Sequence, residues 1–237
     1  MDELFALRLH GVRVLAGLAW LATGTVVIGA AFAGSGLVPV GLALALVIFP
    51  TLAALNGAAD PLTRTVLGAT MPLFCAVLLF QWSGSAWIID LHMTFFAAIA
   101  LSAVLADWRP VLAGACVTAV HHLALNLLAP ALVFGATGDL GRVILHAVVV
   151  VVETGALVQV AVLLETMLVT RAEAQAAAQR AERDARTRTD RCRSAQGCNR
   201  SGRSAAQIGG RCAQRSYCHW VSVHVRTAAD RFQPGTR

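Results

Sequence analysis

The chain has 237 residues, of which 57% are apolar and only 14% are charged, and its formal net charge is +6. An ordinary soluble domain is about 45–50% apolar and about 25% charged. So few charged residues could not cover the apolar surface of this chain in water, which excludes an ordinary soluble domain. Lipid can solvate such a surface, and the composition therefore indicates a polytopic membrane protein.

The charge is distributed unevenly along the chain. Residues 1–170 contain five Arg and eight acidic residues, whereas residues 171–237 contain fourteen Arg and five acidic residues. A basic tail of this kind can bind nucleic acid. In a membrane protein a basic flank on the cytoplasmic side is the favoured interpretation, so we expect no nucleic-acid partner. All basic residues are Arg, which is typical of a GC-rich bacterial gene.

Six apolar segments are long enough to cross a bilayer at 1.5 Å per residue. They run over 12–33, 36–56, 65–82, 86–106, 110–130 and 140–168. The motif "AFAGS" at 31–35 fits a signal-peptide cleavage site, but its apolar run is longer than a signal peptide normally has. We therefore predict an all-α bundle of about six transmembrane helices.

The loop charges predict how this bundle is oriented. Arg8, Arg13, Arg64 and Arg109 lie in the N-terminus and in alternate loops, on the side of the Arg-rich tail. The loops near 34–36 and 82–85 are uncharged, and the loop at 131–142 carries only Arg142 beside Asp139. By the positive-inside rule we place both termini in the cytoplasm and the chain in the bacterial inner membrane.

Beyond the sixth segment the sequence becomes polar. "ETMLVTRAEAQAAAQRAERDARTRTD" (165–190) is rich in strong helix formers. We predict a six-helix transmembrane module over 1–168, a cytoplasmic helical linker over 169–190, and a disordered Arg- and Cys-rich tail over 191–237. A shift of reading frame near residue 190 would also explain the change in amino-acid composition.

The tail invites a zinc interpretation, which the spacing of its cysteines disfavours. Cys192 and Cys198, like Cys212 and Cys218, are separated by five residues, and His219 follows. Structural zinc sites usually have two to four residues between paired cysteines. Disulfides are not expected in a reducing cytoplasm.

Several polar residues lie inside the predicted spans, where ionisable groups are costly and usually functional. At 1.5 Å per residue, His92, His122 and His146 each lie about 9 Å below the outer face. The full candidate set for a ligand-binding or proton-sensing site is Asp90, His92, His121, His122, Asn126, His146 and Glu153. Glu165 is expected at the inner boundary of the membrane.

This set predicts a polar pocket that opens outward. Its histidines could hold a metal or haem, with His92, His122 and His146 as the ligands, or titrate near neutral pH. Interhelical hydrogen bonding is the simpler alternative. The sequence contains no nucleotide-binding Gly loop, nucleophile elbow or HExxH motif, and we expect no enzymatic activity.

Three stretches carry a resemblance to a known family: "DLHMTFFAAIALSAVLADWRP" (90–110), "AVHHLALNLLAPALVF" (119–134) and "DLGRVILHAVVVVVET" (139–154). They resemble the membrane sensor region of six-span bacterial methyl-accepting chemotaxis proteins, and the resemblance covers residues 86–170. It implies the membrane sensor module of a chemoreceptor-like signal transduction protein, which we expect to be a homodimer.

In that family a long cytoplasmic helical hairpin follows the last span and controls a histidine kinase. The methylation helices and signalling tip are not recognisable here, so we expect a module without its signalling domain. The resemblance implies a chemotaxis kinase and adaptor as partners only where a full signalling domain is present. Membrane lipid is the other expected partner. The alternative, from another functional class, is a small membrane metal- or haem-binding redox protein or carrier.

Overall fold

The computed structural model describes residues 2–133 and 140–201, and side chains from Glu3 to Val133 and from Leu140 to Arg193. Within those ranges the chain is helical and contains no strand. The helices are α1 Asp2–Ala33, α2 Val38–Leu55, α3 Pro61–Gln81, α4 Ile88–Ser102, α5 Trp108–Leu128 and α6 Leu140–Ser201. Single 3₁₀ turns follow α4 at Ala103–Leu105 and α5 at Pro130–Leu132. Among the described residues, six helical segments are long and apolar enough to cross a membrane, which confirms the prediction of six long apolar helices.

The chain divides into two compact units, Met1–Glu173 and Ala174–Arg237. The first contains the bundle, and in the second the described residues belong to α6. The helix includes the predicted linker and continues to Ser201, so residues 191–201 are helical where we predicted the start of a disordered tail. The physical reason is that this stretch has no proline and no glycine before Gly197 to end a helix.

The remainder of the predicted tail, 202–237, lies outside the described residues. Cys212, Cys218 and His219, for which the spacing disfavoured zinc binding, fall there, and the side chain of Cys198 is also outside the described part.

The third helix is the centre of the first unit. In the most apolar stretch of α3 56% of residues are buried, the largest share among the six segments, although this was the shortest predicted span. It begins at Pro61, four residues before the predicted start, because Asp60 caps it by accepting hydrogen bonds from the backbone N–H groups of Leu62 and Thr63. Helices α1, α2, α4 and α5 all pack against it.

Two apolar clusters hold the bundle together. The larger cluster joins the four helices α1, α2, α3 and α4 through buried residues that include Leu15, Val47, Leu67 and Phe95. The smaller joins α4, α5 and α6 through Ile99, Val111, Ala115 and Val150. Helix α6 is the least covered helix, because only 17% of its most apolar stretch is buried.

Candidate functional site

Four histidines from three helices form one cluster. The ring centroids of His92 on α4 and His122 on α5 are 4.9 Å apart, and His146 on α6 lies 5.7 Å from His92 and 4.8 Å from His122. His121 lies 5.2 Å from His122. His92, His122 and His146, which the sequence placed at the same depth, thus have their rings in direct contact.

The helix period explains how two adjacent histidines take different positions. Neighbouring residues on a helix point about 100° apart. His122 is almost fully buried, at 3% exposure, between His92 and His146, whereas His121 is half-buried and lies 5.3 Å from the ring of Phe95 on α4. His122 therefore belongs to the centre of the cluster and His121 to its edge.

Two phenylalanines frame the cluster, and the sequence analysis did not include them. Phe95 lies 4.7 Å from His122, and Phe96 lies 4.8 Å from His146. They follow His92 on α4 at spacings of three and four residues, which places them on the same side of that helix as His92. That spacing was the signal that could have identified them.

Backbone hydrogen bonds fix the tautomers of two rings. Nδ1 of His92 lies 3.2 Å from the carbonyl oxygen of Ile88, and Nδ1 of His122 lies 2.8 Å from that of Thr118. A carbonyl oxygen only accepts, so each Nδ1 donates and each Nε2 carries the lone pair when the ring is neutral. Both rings are therefore held with their proton-accepting nitrogen on the side away from their own backbone.

Two further polar atoms of the candidate set are enclosed. Nδ1 of His121 and Nε2 of His146 are buried and have no hydrogen-bond partner among the described residues. A buried nitrogen without a partner carries a desolvation cost that a hydrogen-bonding ligand would offset. Asn126 is buried one turn beyond His122 on α5, and the i,i+4 spacing puts both side chains on the same face of the helix.

Glu153 lies on α6 away from the rings. It follows His146 by seven residues, which is about 10 Å along the helix. Its Oε2 atom and the hydroxyl of the adjacent Thr154 are buried and lack a hydrogen-bond partner within the part of the chain that the structure describes. Glu153 is thus a separate enclosed carboxyl group on the helix that carries His146.

Asp90 does not join the cluster, in contrast to our prediction. Its side chain is exposed, and it lines a groove with Trp82 and Trp87. The reason is rotational: Asp90 and His92 are two residues apart, about 200° around α4, so they cannot share a face. Depth alone, which we used to group them, does not determine which way a side chain points.

The rings are not arranged as a metal site. Among the described residues, no group of three or more His, Cys, Asp or Glu side chains is placed to hold a metal ion. His122 and His146 stack with their planes 22° apart. Imidazole lone pairs lie in the ring plane, so stacked rings do not aim at a common point between them. Metal or haem at His92, His122 and His146 stays a prediction, without support from this geometry.

Two ion pairs at the other end of the bundle were not predicted. Nη2 of Arg8 donates to Oε1 of Glu165 at 2.7 Å and to the carbonyl oxygen of Ala106 at 3.0 Å. Nη2 of Arg64 donates to Oδ2 of Asp107 at 2.6 Å. Glu165, which we expected at the inner boundary of the membrane, thus ties α6 to α1.

Comparison of this chain with protein-family models, with curated proteins and with solved structures found no match.

Proposed function

We propose that this chain is the membrane sensor module of a chemoreceptor-like signal transduction protein in the bacterial inner membrane, with both termini in the cytoplasm. The observation that carries the proposal is the contact of His146, on the weakly covered helix α6, with His92 and His122 of the bundle. A stimulus that changes this cluster acts directly on the helix that continues past the bundle.

The attachment of α6 supports a role in output. It meets the bundle through the ring cluster, the small apolar cluster around Val150 and the Arg8–Glu165 ion pair. A helix held by a few separated contacts can have two positions of similar free energy, and a ligand that favours one position shifts the population between them. The resemblance of residues 86–170 to chemotaxis receptors agrees with such a role.

The histidines suit a site that receives a chemical stimulus. Imidazole is the side chain whose unperturbed titration falls between pH 5 and 8, and it also binds small ligands. A structural cluster joined only by hydrogen bonds would need partners for its nitrogens. The enclosed nitrogens of His121 and His146 have none among the described residues, which favours a ligand or proton site.

The test is a hybrid receptor in which residues 1–173 are joined in helical register to the signalling domain of a chemotaxis receptor. We expect the swimming bias of cells without other receptors to respond to a step in external pH, and the response to be lost in the His122→Phe/His146→Phe double variant. That variant keeps the aromatic packing and removes the titrating nitrogens. His10→Gln, an exposed histidine of α1, is the matched control.

Two outcomes would contradict the proposal. One is a double variant whose resting bias and response both equal those of the parent hybrid. The other is a Soret band in the purified protein that disappears in the double variant, which would indicate the haem-binding redox protein instead. No described contact favours that alternative, because the stacked rings do not aim their lone pairs at one metal or haem iron.

A further inference from the structure

Arg109 shares its carboxylate partner, Asp107, with the buried Arg64. Oδ2 of Asp107 accepts hydrogen bonds from Nε and Nη2 of Arg64 at 3.0 Å and 2.6 Å, and Oδ1 accepts one from the backbone N–H of Arg109 at 3.0 Å. The guanidinium of Arg109 is 3.6 Å from Oδ2, with no hydrogen bond to it, and is 49% exposed. One carboxylate therefore faces two guanidinium groups.

The exposed guanidinium group of Arg109 lines an apolar groove. A cavity of about 300 Å³ is lined by Thr65 of α3 and by one face of α5, formed by Trp108, Arg109, Leu112, Ala113 and Cys116. The guanidinium carbon of Arg109 lies 5.3 Å from the ring centre of Trp108. The α5 residues are spaced three and four apart, so the groove runs along the helix from a charged end to an apolar end.

A groove with this polarity matches one class of ligand. A phospholipid has an anionic phosphate next to an apolar chain, and Arg binds phosphate oxygens through several N–H groups. Tryptophan prefers the depth of the lipid headgroups. Basic pockets at the cytoplasmic ends of transmembrane helices attract anionic lipid headgroups.

We propose that this groove is a binding site for an anionic phospholipid of the inner leaflet, with the phosphate on Arg109 and the start of one acyl chain along Leu112 and Cys116. The site rests on the membrane placement in the proposed function. Any apolar groove in a bilayer touches lipid, so the specific content of the proposal is selectivity for negative charge.

The experiment is native mass spectrometry of the full chain in detergent, with phosphatidylglycerol and phosphatidylcholine of identical acyl chains as probes. A single basic residue near the headgroups should favour the anionic lipid by about fivefold. Arg109→Gln should abolish that preference. Arg13→Gln, which removes an exposed arginine of α1 that does not line the groove, should leave it unchanged. Cys116→Phe, which fills the apolar end, should weaken binding of both lipids.

The outcomes separate this site from the sensor proposal. Equal binding of both lipids by the parent protein, or equal effects of Arg109→Gln and Arg13→Gln, would overturn the lipid site. Release of the bound lipid by inorganic phosphate alone would indicate an ordinary anion site and would overturn it as well. Loss of the lipid preference in Arg109→Gln with a normal pH response of the hybrid would support the lipid site and leave the sensor proposal standing.

Discussion

Arg64 and Asp107 form an ion pair that is almost fully buried, with the two side chains 4% and 0% exposed. Removing two charges from water is expensive, and only the close contact between them offsets the cost. Arg64 also donates to the carbonyl oxygen of Ala59, and Asp107 caps the start of α5. The pair therefore fixes the turn before α3 and the turn before α5 to each other.

We predict that Asp107→Asn or Arg64→Met alone destabilises the protein by about 3–5 kcal/mol. Asp107→Asn leaves the buried charge of Arg64 unpaired, and Arg64→Met leaves the buried Asp107 with only the longer contact to the exposed Arg109. The double variant should lose less than the sum of the two single variants, since it buries no charge. Denaturant unfolding of the detergent-solubilised protein measures these free energies. Arg13→Ala at an exposed position should change stability by less than about 0.5 kcal/mol. Additive losses in the double variant would show that the two residues act independently.

The carboxylate of Asp60, which caps α3, should make a pH-dependent contribution to the stability of that helix. Hydrogen bonds from the hydroxyl and backbone N–H of Thr63 lower the pKa of this carboxyl group below its usual value. A lowered pKa in the folded state means that the contribution is present above about pH 4 and is lost as the pH falls through the folded-state pKa.

Asp60→Ala should therefore cost about 1 kcal/mol near neutral pH, the usual value of an N-cap, and progressively less in acid. Thermal unfolding of both proteins at pH 7 and pH 3 measures the difference. Asp60→Asn keeps a capping oxygen that does not titrate. The stability difference between Asp60→Asn and Asp60→Ala should therefore be the same at pH 7 and pH 3. A cost for Asp60→Ala that is equal at both pH values would contradict the argument.

Among the elements, α3 and α5 approach each other most closely at two glycines. A Cβ added at Gly68 would overlap the backbone carbonyl of Pro110, and one added at Gly114 would lie 3.0 Å from the carbonyl oxygen of Gly68. Backbone atoms cannot move aside as a flexible side chain can. The close crossing of these two helices, and with it the position of α5 and His122 against α3, depends on the absence of a side chain at both glycines.

Gly68→Ala should accordingly destabilise the protein by about 1–3 kcal/mol or more through overpacking. Gly17→Ala, in a helical position with nothing within 4 Å of the added carbon, should be neutral or slightly stabilising because alanine is the better helix former. Denaturant unfolding of the two variants tests this directly. Equal stability of both would mean that α3 can shift without cost.

At the scale of the whole molecule, the basic residues that predicted the orientation meet at one end of the bundle. Arg8 binds the carbonyl oxygen of Ala106, and Arg64 and Arg109 both lie beside Asp107. Residues that are 98 and 43 positions apart in sequence are therefore at the same depth. In the proposed topology, an even number of spans puts both ends of the first unit on one side of the membrane.

We expect a reporter fused after Arg171 to be active in the cytoplasm, and reporters inserted at Gly36 and Gly84 to be active in the periplasm, because basic loops remain inside. Paired alkaline phosphatase and fluorescent-protein fusions give opposite signals on the two sides. A periplasmic signal from the Arg171 fusion would reverse or break the six-span topology.

The helices themselves were largely readable from the sequence, because apolar length and helix propensity are local properties. The predicted span 110–130 lies within three residues of α5, and the predicted span 36–56 within two residues of α2. The larger error was at the end of α6, where composition predicted disorder from 191 and the helix continues to Ser201. A change of amino-acid composition does not end a helix unless a helix-breaking residue is present.

The sequence by itself determined six apolar helices, a basic end and three histidines at one depth, since each follows from hydropathy, charge and the rise of a helix. The tertiary structure decided which residues meet. Asp90 faces away from the rings, Phe95 and Phe96 frame them, and Glu165 binds Arg8. These contacts depend on how each helix is rotated about its axis and where it crosses its neighbours. For α3 and α5, close packing at Gly68 and Gly114 sets how near the two helices can come.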